Sequence, residues 1–330
     1  MARIFVTGGA GYIGSHVAAA LGEAGHHVLV YDDLSTGNRR AVLHGTLVEG
    51  SLHDADLLRE TIAAFRPDVA MHFAGSILVE ESMREPLRYY RNNTLGTLAL
   101  MDALMALRAP VRIVFSSTAT LYGNVAVEDA PIPETAPLVP INPYGYSKLV
   151  SERALEAMAE AHAGFSYLAL RYFNVAGADG RGRTGQAYPE ATHLITLGLR
   201  AALGLRDGLD LFGTDYPTPD GTCVRDYIHV DDLASAHLAA MAHLMDGGQS
   251  IALNCGYGHG HSVREVISAI REVTGSSFAV RETGRRAGDP PVLVARTSEI
   301  RRVLGWEPRY DDLDYIIKTA WDWERRLAAS

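Results

Sequence analysis

Short apolar runs alternate with stretches of helical periodicity through the first half of the chain. "RIFVT" (3–7) is a β-rich run that ends in glycines, and "YIGSHVAAALGEAG" (12–25) follows as a helix with Gly25 as its stop signal. "HHVLVYD" (26–32) is a second strand, "DADLLRETIAAF" (54–65) a helix, and "DVAMHFAG" (68–75) a strand that ends in glycine. "NTLGTLALMDALMAL" (93–107) is predicted to be a helix with an Asn start. "RIVFSST" (112–118), "YGYSKLVSERALEAMAEAHA" (144–163) and "SYLALRYFNVAG" (166–177) continue as strand, long helix and strand. Strands that alternate with helices in this way predict an α/β fold built on a doubly wound, parallel, Rossmann-like sheet.

After Gly177 the texture changes. "GADGRGRTGQAYPE" is rich in Gly and Arg and loop-like, and residues 205–230 carry many turn signals. "VDDLASAHLAAMAHLM" (230–245) returns to a clean helix, followed by "SIALNCG", a helix in "SVREVISAIREVTG" and a late helix from Asp314. The predicted organisation is a dinucleotide-binding domain over 1–176 and a smaller, interleaved C-terminal substrate domain over 177–330. The segment 226–246 is expected to pack back on the first domain.

Bulk properties narrow the partners. The chain has 330 residues and a formal charge of -9, with no basic block, which argues against nucleic-acid binding. Cys223 and Cys255 are its only cysteines, so no disulfide framework is implied and a reducing compartment fits. No apolar run reaches membrane-spanning length, and "MARIFVTGG" goes directly into the glycine motif without room for a signal peptide. The expectation is a cytoplasmic protein with no membrane partner.

The glycines suggest what is bound. Gly8, Gly11 and Gly14, with Tyr12 and Ile13 between them, form G-x-x-G-x-x-G between a strand and a helix. Glycine accepts the positive φ of a tight turn and lets a phosphate approach the backbone, while the helix amides face the negative pyrophosphate. The spacing alone also suits an ordinary turn; the context makes it a dinucleotide site. Asp32 closes the second strand, 18 residues after Gly14, where an acid bonds ribose hydroxyls and repels a 2′-phosphate. NAD is therefore expected over NADP, with Arg39 and Arg40 read as a solvated loop.

"PYGYSK" places Tyr144 and Lys148 one helical turn apart, on one face. A phenol that ionises near pH ~10 is a poor base, but a neighbouring ammonium favours the phenolate. The pair also fits a plain amphipathic helix with an inward Tyr. Ser116, Ser117 and Thr118, at a strand C-terminus where open α/β sheets bind ligands, favour the chemical reading. His229, Asp231, Asp232 and His237 resemble a metal cluster but read as surface and cap chemistry, with Asp231 suited to a helix start; no zinc-type spacing is present, and no metal is expected.

With "VTGGAGYIGSH", "HFAG", "SSTATLYG", "NPYGYSK", "RYFNVAGA", "FGTDYPTPDGTCVRDYIHVDDLA" and "GRRAGD", the sequence resembles the extended short-chain dehydrogenase/reductases, and within them the UDP-glucose (UDP-galactose) 4-epimerases, over nearly its whole length. The resemblance implies that Tyr144 removes the proton of the sugar 4-hydroxyl, hydride passes from C4 to NAD, and hydride returns to the opposite face of the 4-keto sugar. It implies that Lys148 orients the cofactor ribose and lowers the Tyr144 pKa, that Thr118 bonds the 4-oxygen, and that NAD stays bound. Asn92, Ser116 and Tyr172 join the implied cofactor contacts. Asn174, His193, Leu194, Phe212, Arg225, Arg286 and Asp289 are the implied contacts to UDP, and Leu293 the far wall of the hexose pocket. His193 stands where Asn is common, Ser51–Leu52 where many members have Asp-Ile, and Ile77 where some have a cofactor-binding Lys. Related dehydratases carry an Asp-Glu pair after the catalytic Thr, and decarboxylases an acid nearby; Ala119 and Thr120 stand there instead. A homodimer through the helices 93–107 and 144–163 is also implied. The alternatives are another nucleotide-sugar epimerase or a decarboxylase of the same fold, and a non-catalytic NAD- or nucleotide-sensing protein.

Overall fold

A computed structural model describes residues 1–286 and 288–329. The N-terminal half runs β1 (Arg3–Thr7), α1 (Tyr12–Glu23), β2 (His27–Asp32), β3 (Thr46–Glu49), α2 (Ala55–Phe65), β4 (Val69–His72), α3 (Val79–Arg84), α4 (Pro86–Tyr89), α5 (Gly96–Met105), β5 (Val111–Thr118), α6 (Pro143–Ala161) and β6 (Phe165–Tyr172). The rest runs β7 (Asn174–Ala176), α7 (Leu194–Ala202), β8 (Leu209–Phe212), β9 (Val224–Arg225), β10 (Tyr227–His229), α8 (Val230–Met245), β11 (Ile251–Cys255), β12 (His261–Ser262), α9 (Val263–Thr274), β13 (Val280–Thr283), β14 (Val292–Leu293), α10 (Ser298–Leu304) and α11 (Leu313–Ala328).

Seven strands form one parallel sheet in the order β11-β6-β5-β4-β1-β2-β3. Its central strands are apolar on both faces because helices cover both. Successive strand residues point to opposite faces, and the core divides accordingly. Ile4 and Val6 join α1 and α8 on one side, whereas Phe5 joins α2, α5 and α6 on the other. The chain reverses direction across the sheet between β1 and β4, so the crevice beyond the C-terminal ends of these strands is where an open α/β sheet takes a ligand.

The remaining strands form small sheets: β7 with β10, β8 with β13, and β9 between β12 and β14. They lie with α7, α9 and α11 in a second lobe, and one apolar core runs without interruption from β1 and α1 into these helices. The main sheet takes its seventh strand from Ile251–Cys255, within the stretch assigned to the second lobe on sequence.

Local departures from the sequence reading have physical causes. The run 166–177 is not one strand; it breaks after Tyr172, and Asn174–Ala176 pairs with β10 instead of the main sheet. The helix expected over 93–107 extends α4 through a π-helical turn, Tyr90–Leu95, into α5, so Asn93 is inside it and buried, not a cap. Helix α7 had no sequence reading, because Gly198 interrupts its pattern; a Cβ there would come within 2.6 Å of Ile270 Cδ1 on α9. His229, Asp232 and His237 are buried, not surface groups, and the cap of α8 is His229, whose Nδ1 accepts from Asp231 N at 3.1 Å. Cys223 and Cys255 are both free and buried. No helix among the described residues is long and apolar enough to cross a membrane.

Candidate active site

The loop after β1 is shaped for close approach. Gly8 has φ +68°, and a Cβ on it would stand 2.5 Å from Ala74 N; a Cβ on Gly14 would stand 2.2 Å from Gly8 O. Side chains at either position would fill the cradle between β1, β4 and α1. Gly11 caps α1 without a side-chain bond, so no side chain occupies its first-turn amides. Ile13 is half-buried at that turn, and the Tyr12 hydroxyl donates to Gly177 O at 2.6 Å, tying α1 to the end of β7. Asp32 Oδ2 accepts from Ala10 N at 2.9 Å and Oδ1 from Leu34 N at 2.8 Å, which holds the carboxyl at the cradle's rim; burial pushes its pKa up. Arg39 is engaged by Glu49, and Arg40 is exposed. Ser51 is half-buried, with its carbonyl accepting from the Tyr31 hydroxyl at 3.0 Å, and Ile77 is exposed.

The residues of the proposed chemistry meet at the end of β5 and the start of α6. Asn142 caps α6 through Gly145 N at 2.8 Å, and Pro143 occupies the first turn, where a missing N–H costs nothing. This start fixes the helix so that Tyr144 and Lys148 face β5. The Tyr144 phenol meets the Thr118 hydroxyl, and Lys148 Nζ donates to Ser116 O at 2.8 Å while lying 4.8 Å from the Phe115 ring centre. Burial pushes the Tyr144 phenol up and the bond from Thr118 opposes it. The lowered phenol expected from Lys148 is thus not what the protein alone shows, because desolvation by burial is the largest influence on it. Burial also pulls Lys148 down to about 8, with Glu152 opposing. The Ser116 hydroxyl is bonded by Tyr172.

The implied nucleotide contacts form a second group. Arg286 Nε and Nη2 bond the Asp289 carboxylate at 3.0 and 3.1 Å, and Arg225 Nη2 is 3.9 Å from the same group. Arg286 lies 5.4 Å over the exposed Phe212 ring. Leu293 is in parallel register with Arg225 and shares an apolar cluster with Ala119, Tyr122 and Ile132. Asn174, His193 and Leu194 line a narrow cleft with Tyr12 and Trp323. There His193 Nδ1 is buried without a partner and the ring is pushed down by burial.

Asn92 is half-buried and turned to Ser76 Oγ, 3.0 Å, and His53. The neighbouring Asn93, read on sequence only as a helix start, accepts from Ser76 N at 2.7 Å and donates to Ser147 Oγ at 2.9 Å beneath the Tyr144 turn. Glu152 was also passed over, although its place one turn after Lys148 was readable as the helix face that Tyr144 and Lys148 share. Among the described residues, no group of three or more His, Cys, Asp or Glu is placed to hold a metal.

The pattern described as the NAD dependent epimerase/dehydratase family matches residues 4–256. A UDP-glucose 4-epimerase of Azospirillum brasilense is 55% identical over 330 residues, covering 99% of this chain and 93% of that protein. The crystal structure of UDP-glucose 4-epimerase from Brucella ovis in complex with NAD superposes with a TM-score of 0.94 at 46% identity, covering 98% of each chain. The UDP-Glc/GlcNAc 4-epimerase from Campylobacter jejuni superposes with a TM-score of 0.86 at 45% identity, covering 99% of this chain and 100% of that one.

Proposed function

The chain belongs to the NAD dependent epimerase/dehydratase family, and from that premise we propose that it interconverts UDP-glucose and UDP-galactose at C4. The observation that carries the proposal is the meeting of Tyr144, Thr118 and Lys148 at the strand ends, beside a cradle that only glycine can line. The cradle and the Asp32 carboxylate fit NAD. When bound, NAD supplies the acceptor and donor of a hydride at the sugar C4, so the carbinol is oxidised to a ketone and reduced again with no net redox change.

The chain's own groups manage the proton and the orientation. Tyr144 takes the proton of the 4-hydroxyl as hydride leaves, and returns it after the sugar has turned. Thr118, close to Tyr144, holds the 4-oxygen and relays that proton. Lys148 stabilises the phenolate with its ammonium and orients the ribose hydroxyls. Arg225 and Arg286 clamp the diphosphate through charge-assisted bonds, Asp289 accepts from the uridine ribose, and Asn174, His193, Leu194 and Phe212 wall the uracil side. Ala119 and Thr120 follow Thr118, so no acid is present there to drive elimination, which favours epimerisation over dehydration.

Leu293 forms the far wall of the hexose pocket. It is smaller than Tyr, and a partial wall leaks, since size discrimination by a methylene is worth only about 1–3 kcal/mol. UDP-N-acetylglucosamine is accordingly a second, poorer substrate. The protein pairs with a second copy through α5 and α6, a reading supported by the exposed apolar side chains Leu98 of α5 and Tyr146 and Val150 of α6, with Leu87 of α4 and Leu95 of the π-helical turn ahead of α5. Two unpaired, buried cysteines support a cytoplasmic location. The deciding experiment is incubation of the purified protein with UDP-galactose and assay of UDP-glucose; no conversion would overturn the proposal.

A further inference from the structure

Beneath Tyr144 and Lys148 lies a buried charge pair with no part in the chemistry above. Glu152 follows Lys148 by one helical turn, as Lys148 follows Tyr144, so the three line one face of α6. Their exposures are 9% for Tyr144, 3% for Lys148 and 5% for Glu152. The Glu152 carboxylate accepts from Ser117 Oγ and from Arg171 of β6, whose Nη2 is at 2.7 Å and Nε at 3.1 and 3.2 Å from its two oxygens. Arg171 Nη1 also donates to the Tyr122 hydroxyl at 3.1 Å and to Glu134 O at 3.3 Å. Tyr122 donates to Asn254 Oδ1 at 2.7 Å, Asn254 Nδ2 to Ile132 O at 2.8 Å, and Ile132 N to Val294 O at 2.8 Å. One hydrogen-bonded line thus runs from α6, past the strand end that carries Thr118, to Val294, the residue after Leu293.

We propose that the Glu152–Arg171 pair is a positioning element of the catalytic group, setting the place and the charge of Lys148 and holding the Thr118 end of β5 against the Tyr144 helix. The inference rests on the functional reading above, in which these three residues act on the sugar. Ser117 sits between Ser116, whose carbonyl receives Lys148, and Thr118, whose hydroxyl meets Tyr144. Fastening Ser117 to Glu152 therefore fixes both neighbours relative to the helix. A displacement of ~1 Å at such a site costs on the order of 10²-fold in rate.

The charges around the pair define its electrostatic role. Lys148 faces the Phe115 ring, the Ser116 carbonyl and His72, which is bonded to Thr7 and Thr97 and held neutral by burial, down to about 3. Glu152 faces Arg171, Tyr122 and Tyr167 from the sheet side, the Glu134 segment from the loop, and Glu156 one turn on, where Arg153 pairs it at the surface. Burial works against the Lys148 ammonium and Glu152 is the anion that opposes the loss. A buried ion pair is weak evidence of stabilisation in itself; placement under a reacting group gives this one a use.

The sequence makes the test direct. Its only lysines are Lys148 and Lys318, and Lys318 is exposed and paired with Asp322. Carbon-13 at lysine Cε in the purified full chain therefore gives two resonances, and the Lys148 titration is read without turnover. In Glu152→Gln the Lys148 midpoint should move down by about 1 pH unit, and kcat on UDP-galactose should fall by roughly tenfold or more with KM within about twofold. Glu152→Asp restores the carboxylate and should return the midpoint towards the wild-type value, which a merely structural role does not predict. Ser117→Ala keeps the pair and should lower kcat several-fold with the midpoint in place. An unmoved midpoint or an unchanged kcat in folded Glu152→Gln overturns the proposal. Should that variant fail to fold, an unchanged kcat in both Glu152→Asp and Ser117→Ala does so. Absence of turnover by the wild type is instead a failure of the functional reading, and is seen before any variant is made.

Discussion

Lys148 donates from Nζ to the main-chain carbonyl oxygen of Ser116 at 2.8 Å. The buried ammonium is thus tied to the backbone of β5, and among the described residues no carboxylate pairs directly with it. In the proposed chemistry that charge would face the anion formed at Tyr144, one helical turn away.

Replacement of Tyr144 by Phe removes one hydroxyl whose partner in the protein is Thr118. The fold and UDP binding should stay nearly intact, while turnover of UDP-galactose should fall by roughly 10²-fold or more, as for loss of a general base. Steady-state kinetics alongside calorimetric UDP titration checks this; a mutant with most of its activity would mean that another group takes the proton.

Asp32 is held at the rim of the glycine cradle by Ala10 N and Leu34 N. NAD should bind at least about tenfold tighter than NADP, because a carboxylate facing a 2′-phosphate is repelled by several kcal/mol at most and screened in part. Fluorescence titration of protein stripped of cofactor measures both. Equal affinities would show that Arg39 or Arg40 dominates.

Leu293 shares an apolar cluster with Ala119 and Tyr122. Leu293→Tyr should suppress conversion of UDP-N-acetylglucosamine selectively, with UDP-glucose conversion retained, since added bulk excludes the larger sugar without removing a contact to the smaller. The measurement is kcat/KM for both sugars; equal loss on both, or no conversion of the acetylated sugar by wild type, sinks the idea.

Buried histidines make the fold acid-labile. Burial pushes His16 and His237 down to about 4 and His72 and His229 down to about 3. Below the unfolded value of about 6.5 the unfolded chain binds protons that the fold excludes. The stability these groups contribute is therefore full above pH ~6.5 and lost as pH falls towards 4. Thermal melts at pH 7.5 and at successively lower pH should show Tm falling through this window. His237 Nε2 is buried without a partner between the Phe73 and Tyr172 rings, so His237→Phe should be tolerated and should flatten the fall. A slope equal to that of wild type would exclude His237 as a contributor.

The pairing of α5 and α6 with a second copy is checked by sedimentation. Wild type should sediment as a dimer, and Leu98→Glu with Val150→Glu, which set charge into the shared apolar face, should give monomers with the fold retained. A wild type that is monomeric at micromolar concentration rejects this interface.

Periodicity and local chemistry determined much of this protein in advance. The short apolar, β-rich runs "RIFVT" and "RIVFSST" and the four-residue spacing of Tyr144, Lys148 and Glu152 are local properties of the chain, so strands, helices and the face they share were legible from neighbours in sequence. Gly14, crowded by Gly8 O, and Gly8, by its φ of +68°, were legible because the demand for glycine is local, although the crowding of Gly8 by Ala74 is not. What the tertiary structure decided depends on residues far apart. Phe173 ends one strand and lets β7 leave for β10, because a partner strand 53 residues on from Asn174, at Tyr227, is available to it. Gly198 belongs inside a helix because Ile270 crowds it. His229 and His237 are core and not surface, because α8 lies between the sheet and the second lobe. Glu152 finds Arg171 and Ser117 only when α6 lies across β5 and β6. Burial and long-range pairing are sums over contacts that no local window contains, and in the protein alone the protonation of Tyr144 and Lys148 follows from that burial more than from the spacing that first marked them.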